Sequence, residues 1–125
     1  MSPHDNRSIV EQFWSAIKSR DLDAQDRLVS DDYVQEWPQS GERIRGKANA
    51  HAVKQNYPTE RTPELRRIRG AGDLWVMETT IDYGTEVAHG VHVIEMQGGK
   101  IIRETDYFSQ PFEAPEWRAK WVERM

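Results

Sequence analysis

The dipeptide Gly98-Gly99 separates two runs rich in β-branched and aromatic residues, 86–97 and Lys100–Ser109. Two glycines between such runs are typical of a two-residue hairpin turn, because they readily adopt the positive φ angles that these turns require. Two further runs of this kind come earlier, at 65–70 and 74–83. The second half of the chain is therefore predicted to form four antiparallel strands.

The first half of the chain has helical spacing instead. Its apolar residues form one stripe: Val10, Phe13, Trp14 and Ile17. This stripe predicts a helix over residues 4–19. A second helix is predicted to begin near residue 22 and to end at the acidic pair 31–32, followed by a brief strand over 33–37. A third helix is predicted over residues 47–57, which lack glycine and proline.

Helices followed by an antiparallel meander define an α+β fold class rather than an alternating α/β fold. Near the C-terminus, Trp117 and Trp121 lie one helical turn apart, so residues 116–124 are predicted to pack as a last helix or, alternatively, to lie across an edge of the sheet. We interpret the two tryptophans as a packing staple for this helix. Residues 1–125 are predicted to form one domain, since this length closes a single hydrophobic core.

Composition excludes several classes of protein. No apolar run approaches the roughly 20 residues of a membrane-spanning helix. The net charge of −4 argues against nucleic-acid binding, which needs a basic surface. The chain has no cysteine, so disulfides, thiolate zinc sites and thiol nucleophiles are ruled out. The N-terminus lacks the pattern of a secretory signal. We therefore expect a cytoplasmic protein that binds neither membranes nor nucleic acid.

The segment 36–46 reads Glu-Trp-Pro-Gln-Ser-Gly-Glu-Arg-Ile-Arg-Gly and lies between the early helices and a helix with four strands. Together with motifs at 99–101, 106–108 and 115–118, it resembles the SnoaL-like polyketide cyclase branch of the nuclear transport factor 2-like superfamily. The resemblance covers essentially the whole chain. It implies a cone-shaped, curved antiparallel sheet wrapped around three N-terminal helices, with a short C-terminal helix. It also implies an apolar pocket and a homodimer built on the outer face of the sheet.

Asp106 is the first candidate for chemistry. An uninterrupted hairpin pairs it with Val91 and surrounds it with apolar residues, among them Val93 and Phe108. Such neighbours remove water from a carboxylate and raise its pKa toward neutrality, which suits a general acid or base. The resemblance implies the same role, since the matching position in SnoaL-like cyclases and limonene epoxide hydrolases is a catalytic acid. The alternative is a structural carboxylate paired with Arg103 or with the C-terminal segment.

Two histidines on the preceding strand are candidate catalytic partners of Asp106. An uninterrupted register places His89 diagonally from Asp106, whereas a bulge between Gly90 and Thr105 would put His92 there. Either histidine could orient or protonate a substrate oxygen. They point to opposite faces of the strand and cannot bind one metal ion together. No other metal-ligand spacing, phosphate loop or nucleophile elbow occurs, so we expect no metal and no cofactor.

Further side chains are predicted to shape a binding site. Glu104 lies on the same strand face as Asp106 and could share a proton with it, although a position near a solvated rim is favoured. His51 is placed on the third helix, facing either the pocket or the helix surface. The aromatic candidates for substrate contacts, or alternatively for core packing, are Trp14 and Phe108, with Tyr33, Trp37 and Tyr57 near the pocket mouth.

One departure from the family narrows the range of possible reactions. Epoxide hydrolases of this superfamily carry an Arg-x-Asp pair, and the matching positions here are Thr79 and Ile81. We predict a protein that binds a small apolar or aromatic metabolite. As an enzyme, it would catalyse a cofactor-independent isomerisation, cyclisation or dehydration, the last being a lyase reaction. The alternative is a non-catalytic ligand-binding or structural dimer module of the same fold.

Overall fold

The computed structural model describes residues 3–125, with side chains from Asp5 onward. Its helices are α1 (Pro3–Ser19), α2 (Leu22–Leu28) and α3 (Lys47–Gln55). Its strands are β1 (Val29–Trp37), β2 (Glu42–Arg45), β3 (Thr62–Ala71), β4 (Leu74–Asp82), β5 (Val87–Gln97) and β6 (Lys100–Ser109). A short 3-10 helix, Glu116–Trp121, lies near the C-terminus. Within residues 3–125, no helix is long and apolar enough to cross a membrane.

The strands form one curved sheet in the order β2-β1-β6-β5-β4-β3. The predicted α+β fold is confirmed, but the sheet is mixed rather than antiparallel, because β1 and β6 pair in parallel. This pairing joins distant parts of the chain, so no local pattern indicates it. It also explains why β1 begins at Val29: residues assigned to the end of the second helix instead form strand pairs.

The hydrophobic core lies between the helices and one face of the sheet. Val10 and Phe13 of the predicted α1 stripe are fully buried. Met77, Ile94 and Ile101 meet them from β4, β5 and β6. Burying side chains of this size stabilises a fold by about 1.5–3 kcal/mol each. The amphipathic pattern of the first helix is thus confirmed.

A bulge beside the hairpin turn sets the register between β5 and β6. The pairing shifts between Glu95 and Met96, which leaves Ile102 as the extra residue on β6. All pairs farther from the turn are displaced by one position relative to an uninterrupted hairpin. His92 therefore lies opposite Asp106. The structure therefore has the bulged register that brings His92 to Asp106. Its extra residue lies next to the turn rather than between Gly90 and Thr105.

The bulge corrects the predicted surroundings of Asp106. Val91 pairs with Tyr107 instead of Asp106 and is 39% exposed. Val93 shares its outward orientation, because alternate residues of a strand point to the same face. His89 also points outward and is exposed. These three side chains therefore lie on the outer face of the sheet.

The C-terminal segment also differs from its prediction. Residues Glu116–Trp121 form a 3-10 helix rather than a helix over 116–124. Trp117 and Trp121 are 73% and 70% exposed, so the predicted packing staple is wrong. The spacing argument assumed an α-helix, whereas in a 3-10 helix residues three apart, not four apart, lie on one side.

Candidate active site

A cavity of about 700 Å³ lies between the sheet, α1, α3 and the segment 57–61. Apolar and aromatic side chains form much of its wall: Phe13, Trp14, Ile17, Leu22, Trp37, Met77, Ile81 and Phe108. Polar side chains from the strands form its floor: Gln35, Thr79, His92, Glu104 and Asp106. An apolar cavity of this size with a few convergent polar groups is typical of a small-molecule site.

Two carboxylates and an imidazole meet at this floor. Glu104 and Asp106 are alternate residues of β6 and point to the same face of the sheet. His92 Nδ1 lies 2.8 Å from Asp106 Oδ1 and 3.7 Å from Glu104 Oε2. The exposed fractions of the three side chains are 11% for His92, 6% for Glu104 and 1% for Asp106. We call these three residues the floor cluster.

Strand β1 supplies hydrogen-bond donors to the floor cluster because it lies beside β6. Tyr33, Gln35 and Trp37 alternate along β1 and therefore share one face. The Tyr33 hydroxyl donates to Glu104 Oε1 at 2.8 Å. Asp106 Oδ2 accepts from Gln35 Nε2 at 2.6 Å and from Trp37 Nε1 at 3.1 Å. Neutral donors of β1 thus hold both carboxylates in place.

The second ring nitrogen of His92 is held from β4. Thr79 Oγ1 lies 2.8 Å from His92 Nε2. Phe108 packs edge-on against the imidazole, with ring centroids 5.6 Å apart. A Cβ on Gly90 would lie 2.6 Å from Thr79 Oγ1 and 2.9 Å from His92 Nε2. The missing side chain at Gly90 therefore leaves room for the bond between Thr79 and His92.

Burial and mutual contact shift the ionisation of the floor cluster. Burial and the charge of Glu104 raise the pKa of Asp106 to about 7. Burial disfavours the charged form of His92, but hydrogen bonds to Asp106 and Glu104 outweigh it and raise the pKa of His92 to about 10. Burial also opposes ionisation of Glu104, yet hydrogen bonds with Asp106 and His92 lower its pKa. At neutral pH, Asp106 is therefore the group in mid-titration.

The floor cluster also has the spacing of a metal site, since one ligand atom from each side chain lies within 4.8 Å of the others. The sequence analysis did not predict this arrangement because the three side chains come from two strands, β5 and β6. The surrounding donors fit a proton-sharing network better than a cation. Gln35 and Trp37 direct the positive ends of N–H bonds at Asp106. A second group with this spacing lies on α2 and α3: Asp23, Asp26 and His51.

Most of the predicted site residues come together in this cavity. The predicted residues in its lining are Trp14, Trp37, Tyr57, His92, Glu104, Asp106 and Phe108. Tyr33 is fully buried beneath the floor rather than near the mouth. The prediction of a solvated rim for Glu104 is wrong, because contact with β1 leaves this residue 5% exposed.

Two predicted residues lie elsewhere. His89 faces the outside of the sheet. His51 lies in a separate shallow depression, where its Nδ1 is 2.6 Å from Asp26 Oδ2. Sequence reasoning did not assign Gln35 or Thr79 to the site. Alternation along β1 would have indicated Gln35, whereas the contact of Thr79 with His92 becomes apparent only from the pairing of β4 with β5.

The sequence profile of the SnoaL-like domain matches residues 10–104. This match covers most of the chain, so the protein belongs to the SnoaL-like family, and the resemblance found in its sequence is confirmed. No protein in a search of curated proteins matches the chain.

Solved structures show the same fold. An NTF-2-like protein of unknown function from Burkholderia xenovorans LB400 is 40% identical, with a TM-score of 0.88 over 98% of this chain and 96% of that one. A Kribbella flavida DSM 17836 protein, provisionally described as a ketosteroid isomerase, is 26% identical, with a TM-score of 0.92 over 98% and 91%. An LEH-like epoxide hydrolase from M. tuberculosis is 26% identical, with a TM-score of 0.69 over 86% and 84%.

Proposed function

We propose that this protein is a cofactor-independent enzyme that moves a proton within a small apolar or aromatic molecule. The reaction classes are isomerisation, aldol-type cyclisation and dehydration. The observation that carries the proposal is the buried carboxyl group of Asp106, which lies beside His92 and Glu104 at the floor of a ligand-sized cavity, where burial and the charge of Glu104 raise its pKa to about 7. A group whose pKa lies near the working pH can both remove and return a proton.

Both oxygens of the ionised Asp106 carboxylate accept hydrogen bonds. Oδ2 accepts two N–H donors, from Gln35 and Trp37, so a proton on this oxygen would displace one of them. Oδ1 accepts from His92 Nδ1–H, since a pKa of about 10 keeps the imidazole protonated at neutral pH. His92 is more exposed than Asp106. We assign the exchange of a proton with the ligand to Asp106, while the protonated His92 stabilises the ionised carboxylate through its Nδ1–H.

The relatives support isomerisation over epoxide hydrolysis. The Kribbella flavida relative is provisionally described as a ketosteroid isomerase. The chain is also similar to an epoxide hydrolase, but Thr79 and Ile81 stand at the positions where the family resemblance implies an Arg-x-Asp pair. Neither Thr79 nor Ile81 can ionise, so this protein lacks the charged pair that would position water for epoxide hydrolysis.

Turnover of a β,γ-unsaturated cyclic ketone tests the proposal, since the conjugated product absorbs more strongly in the ultraviolet. Asp106→Asn keeps the shape of the side chain and removes its acid/base capacity, so the rate should fall by about 10²-fold or more. Asp32→Asn changes an exposed carboxylate of β1 and should leave the rate unchanged. An unchanged rate in Asp106→Asn would reject the catalytic assignment.

A non-catalytic ligand-binding module is the second candidate. The observation that favours it is the 1% exposure of the Asp106 side chain, which leaves little of the carboxyl group for direct contact with a ligand. This reading predicts that apolar ligands bind, with no turnover of the ketone above the background rate. Asp106→Asn would then change neither the ligand affinity nor the turnover of the ketone by more than about twofold.

We also propose a homodimer built on the outer face of the sheet. Val91 and Tyr107 face each other there across β5 and β6 and are 39% and 45% exposed. Covering this apolar pair would stabilise an association of two copies. Sedimentation equilibrium should give a dimer mass for the protein and a monomer mass for Tyr107→Glu. A monomer mass for the unmodified protein would overturn this proposal.

A further inference from the structure

Three basic side chains also line the cavity: Arg20, Lys54 and Arg61. Among residues 5–125, none of the three has a carboxylate within ion-pair distance. Lys18 lies on α1, which also forms part of the cavity wall. It differs from these three residues because it forms an ion pair with Glu64 at 2.6 Å. In the described part of the protein, Arg20 and Arg61 thus bring positive charge to the cavity without an ion-paired carboxylate, whereas the charge of Lys54 also acts on Glu104 and helps to lower its pKa.

Contacts other than ion pairs position these side chains. The Arg61 guanidinium lies 3.6 Å from the centroid of the Tyr57 ring, and the Tyr57 hydroxyl bonds to the Tyr83 hydroxyl at 3.1 Å. Arg20 donates to the backbone oxygen of Arg61 at 2.6 Å. Lys54 Nζ lies 5.6 Å from the centroid of the Phe13 ring. Cations held against aromatic faces keep N–H donors free for another acceptor.

The charges along the cavity are arranged in two zones. The outer zone has Arg20, Arg61 and one carboxylate, that of Glu60, and Lys54 lies between this zone and the floor, where its charge also acts on Glu104. The floor has the carboxyl groups of Glu104 and Asp106. Apolar residues of α1 and β4, including Phe13 and Met77, lie in the same lining. A ligand that matches both zones has an anionic end, an apolar body and a reactive end.

We propose that the cavity takes an amphipathic carboxylate, whose anionic group binds Lys54 and Arg61 and whose opposite end reaches the floor cluster. This inference rests on the proposed function only in taking the cavity as the ligand site. The guanidinium plane of Arg61 can donate two parallel bonds to a carboxylate, and the Lys54 ammonium adds a third donor. The anion would orient the body so that its uncharged end faces Asp106 and His92.

Calorimetric titration with 2-naphthoate and its neutral analogue 2-naphthamide tests this proposal, because the two probes share one apolar body. The acid should bind about tenfold more tightly than the amide, as expected for one or two charge-assisted hydrogen bonds. Equal affinities, tighter binding of the amide, or failure of the acid to bind at millimolar concentration would overturn the proposal.

Substitutions locate the preference. Lys54→Met keeps the length of the side chain and should weaken binding of the acid by about tenfold, with the amide unaffected. Arg61→Gln should act in the same direction, and Glu60→Gln should tighten binding of the acid. Lys120→Met removes an exposed cation outside the cavity lining and serves as the matched control. Equal weakening of both probes by Lys54→Met would overturn the role of charge.

Asp106→Asn separates this inference from the proposed catalysis. The variant should keep the preference for the acid, because the anion binds at the other end of the cavity. If Asp106→Asn keeps the preference for the acid and its turnover is unchanged, the proposed catalysis is rejected and the carboxylate ligand stands. If Asp106→Asn loses the preference for the acid and its turnover also falls strongly, the carboxylate ligand is rejected and the proposed catalysis stands.

Discussion

The imidazole of His92 and the carboxyl group of Asp106 face each other across β5 and β6, with Nδ1 2.8 Å from Oδ1. Their pairing depends on the extra residue Ile102, which shifts the register near the turn. Donors from β1 and β4 then complete the environment of both groups. The floor cluster is therefore a product of sheet topology as much as of its three side chains.

The rate of proton transfer should depend on pH in two steps. Below about pH 7, protonated Asp106 cannot accept a proton, so kcat/KM should rise as the pH passes this value. Above about pH 10, His92 loses its proton and the rate should fall. His92→Gln removes a charge that lowers the pKa of Asp106, so the acidic limb should move to higher pH. A pH-independent rate between pH 5 and 9 would contradict this expectation.

Tyr33→Phe should destabilise the protein. The change leaves the buried Glu104 carboxylate without the donor that lies 2.8 Å from its Oε1. Losing a hydrogen bond to a buried charged group lowers the free energy of unfolding by about 1.5–3 kcal/mol. Urea denaturation measures the change, and Tyr107→Phe, which keeps the apolar ring on the proposed dimer face, is the control, expected within about 0.5 kcal/mol of the unmodified protein. Similar stabilities for both variants would show that the Tyr33 hydroxyl contributes little.

Gly90→Ala should disturb the imidazole of His92 without replacing a titratable residue. The added Cβ would approach Thr79 Oγ1 and His92 Nε2 more closely than carbon contacts allow, so one of these side chains must move. Overpacking of this kind costs about 1–3 kcal/mol in unfolding free energy. Thermal denaturation measures the loss, and Thr79→Ala in the same chain should recover part of it by removing the nearer contact. No loss of stability would mean that the strand adjusts freely at this point.

Local patterns were enough to predict much of the fold. The α1 stripe containing Val10 and Phe13 is buried as its spacing indicated. Gly98 and Gly99 have φ angles of 59° and 77°, as the predicted hairpin turn requires. Strand β6 has the predicted bounds, Lys100–Ser109. In each case a short segment contains the physical signal, so neighbouring residues suffice to read it.

The arrangement of the site depended on contacts that no segment contains by itself. The burial of Glu104 follows from the parallel pairing of β1 with β6, which brings Tyr33 over its carboxylate. The choice of His92 over His89 follows from a bulge, and the sequence offered no residue that marks where the bulge lies. Candidate residues could therefore be named from the sequence, whereas their partners and faces required the topology of the sheet.

The central claim is that the Asp106 carboxyl group titrates near neutrality inside the cavity. Carbon-13 NMR of protein labelled at aspartate Cγ measures this directly, with Asp106→Asn used to assign the resonance. The account predicts a midpoint near pH 7 for Asp106, because burial and the charge of Glu104 oppose its ionisation. A midpoint near pH 4, the range of an ordinary aspartate, would contradict it.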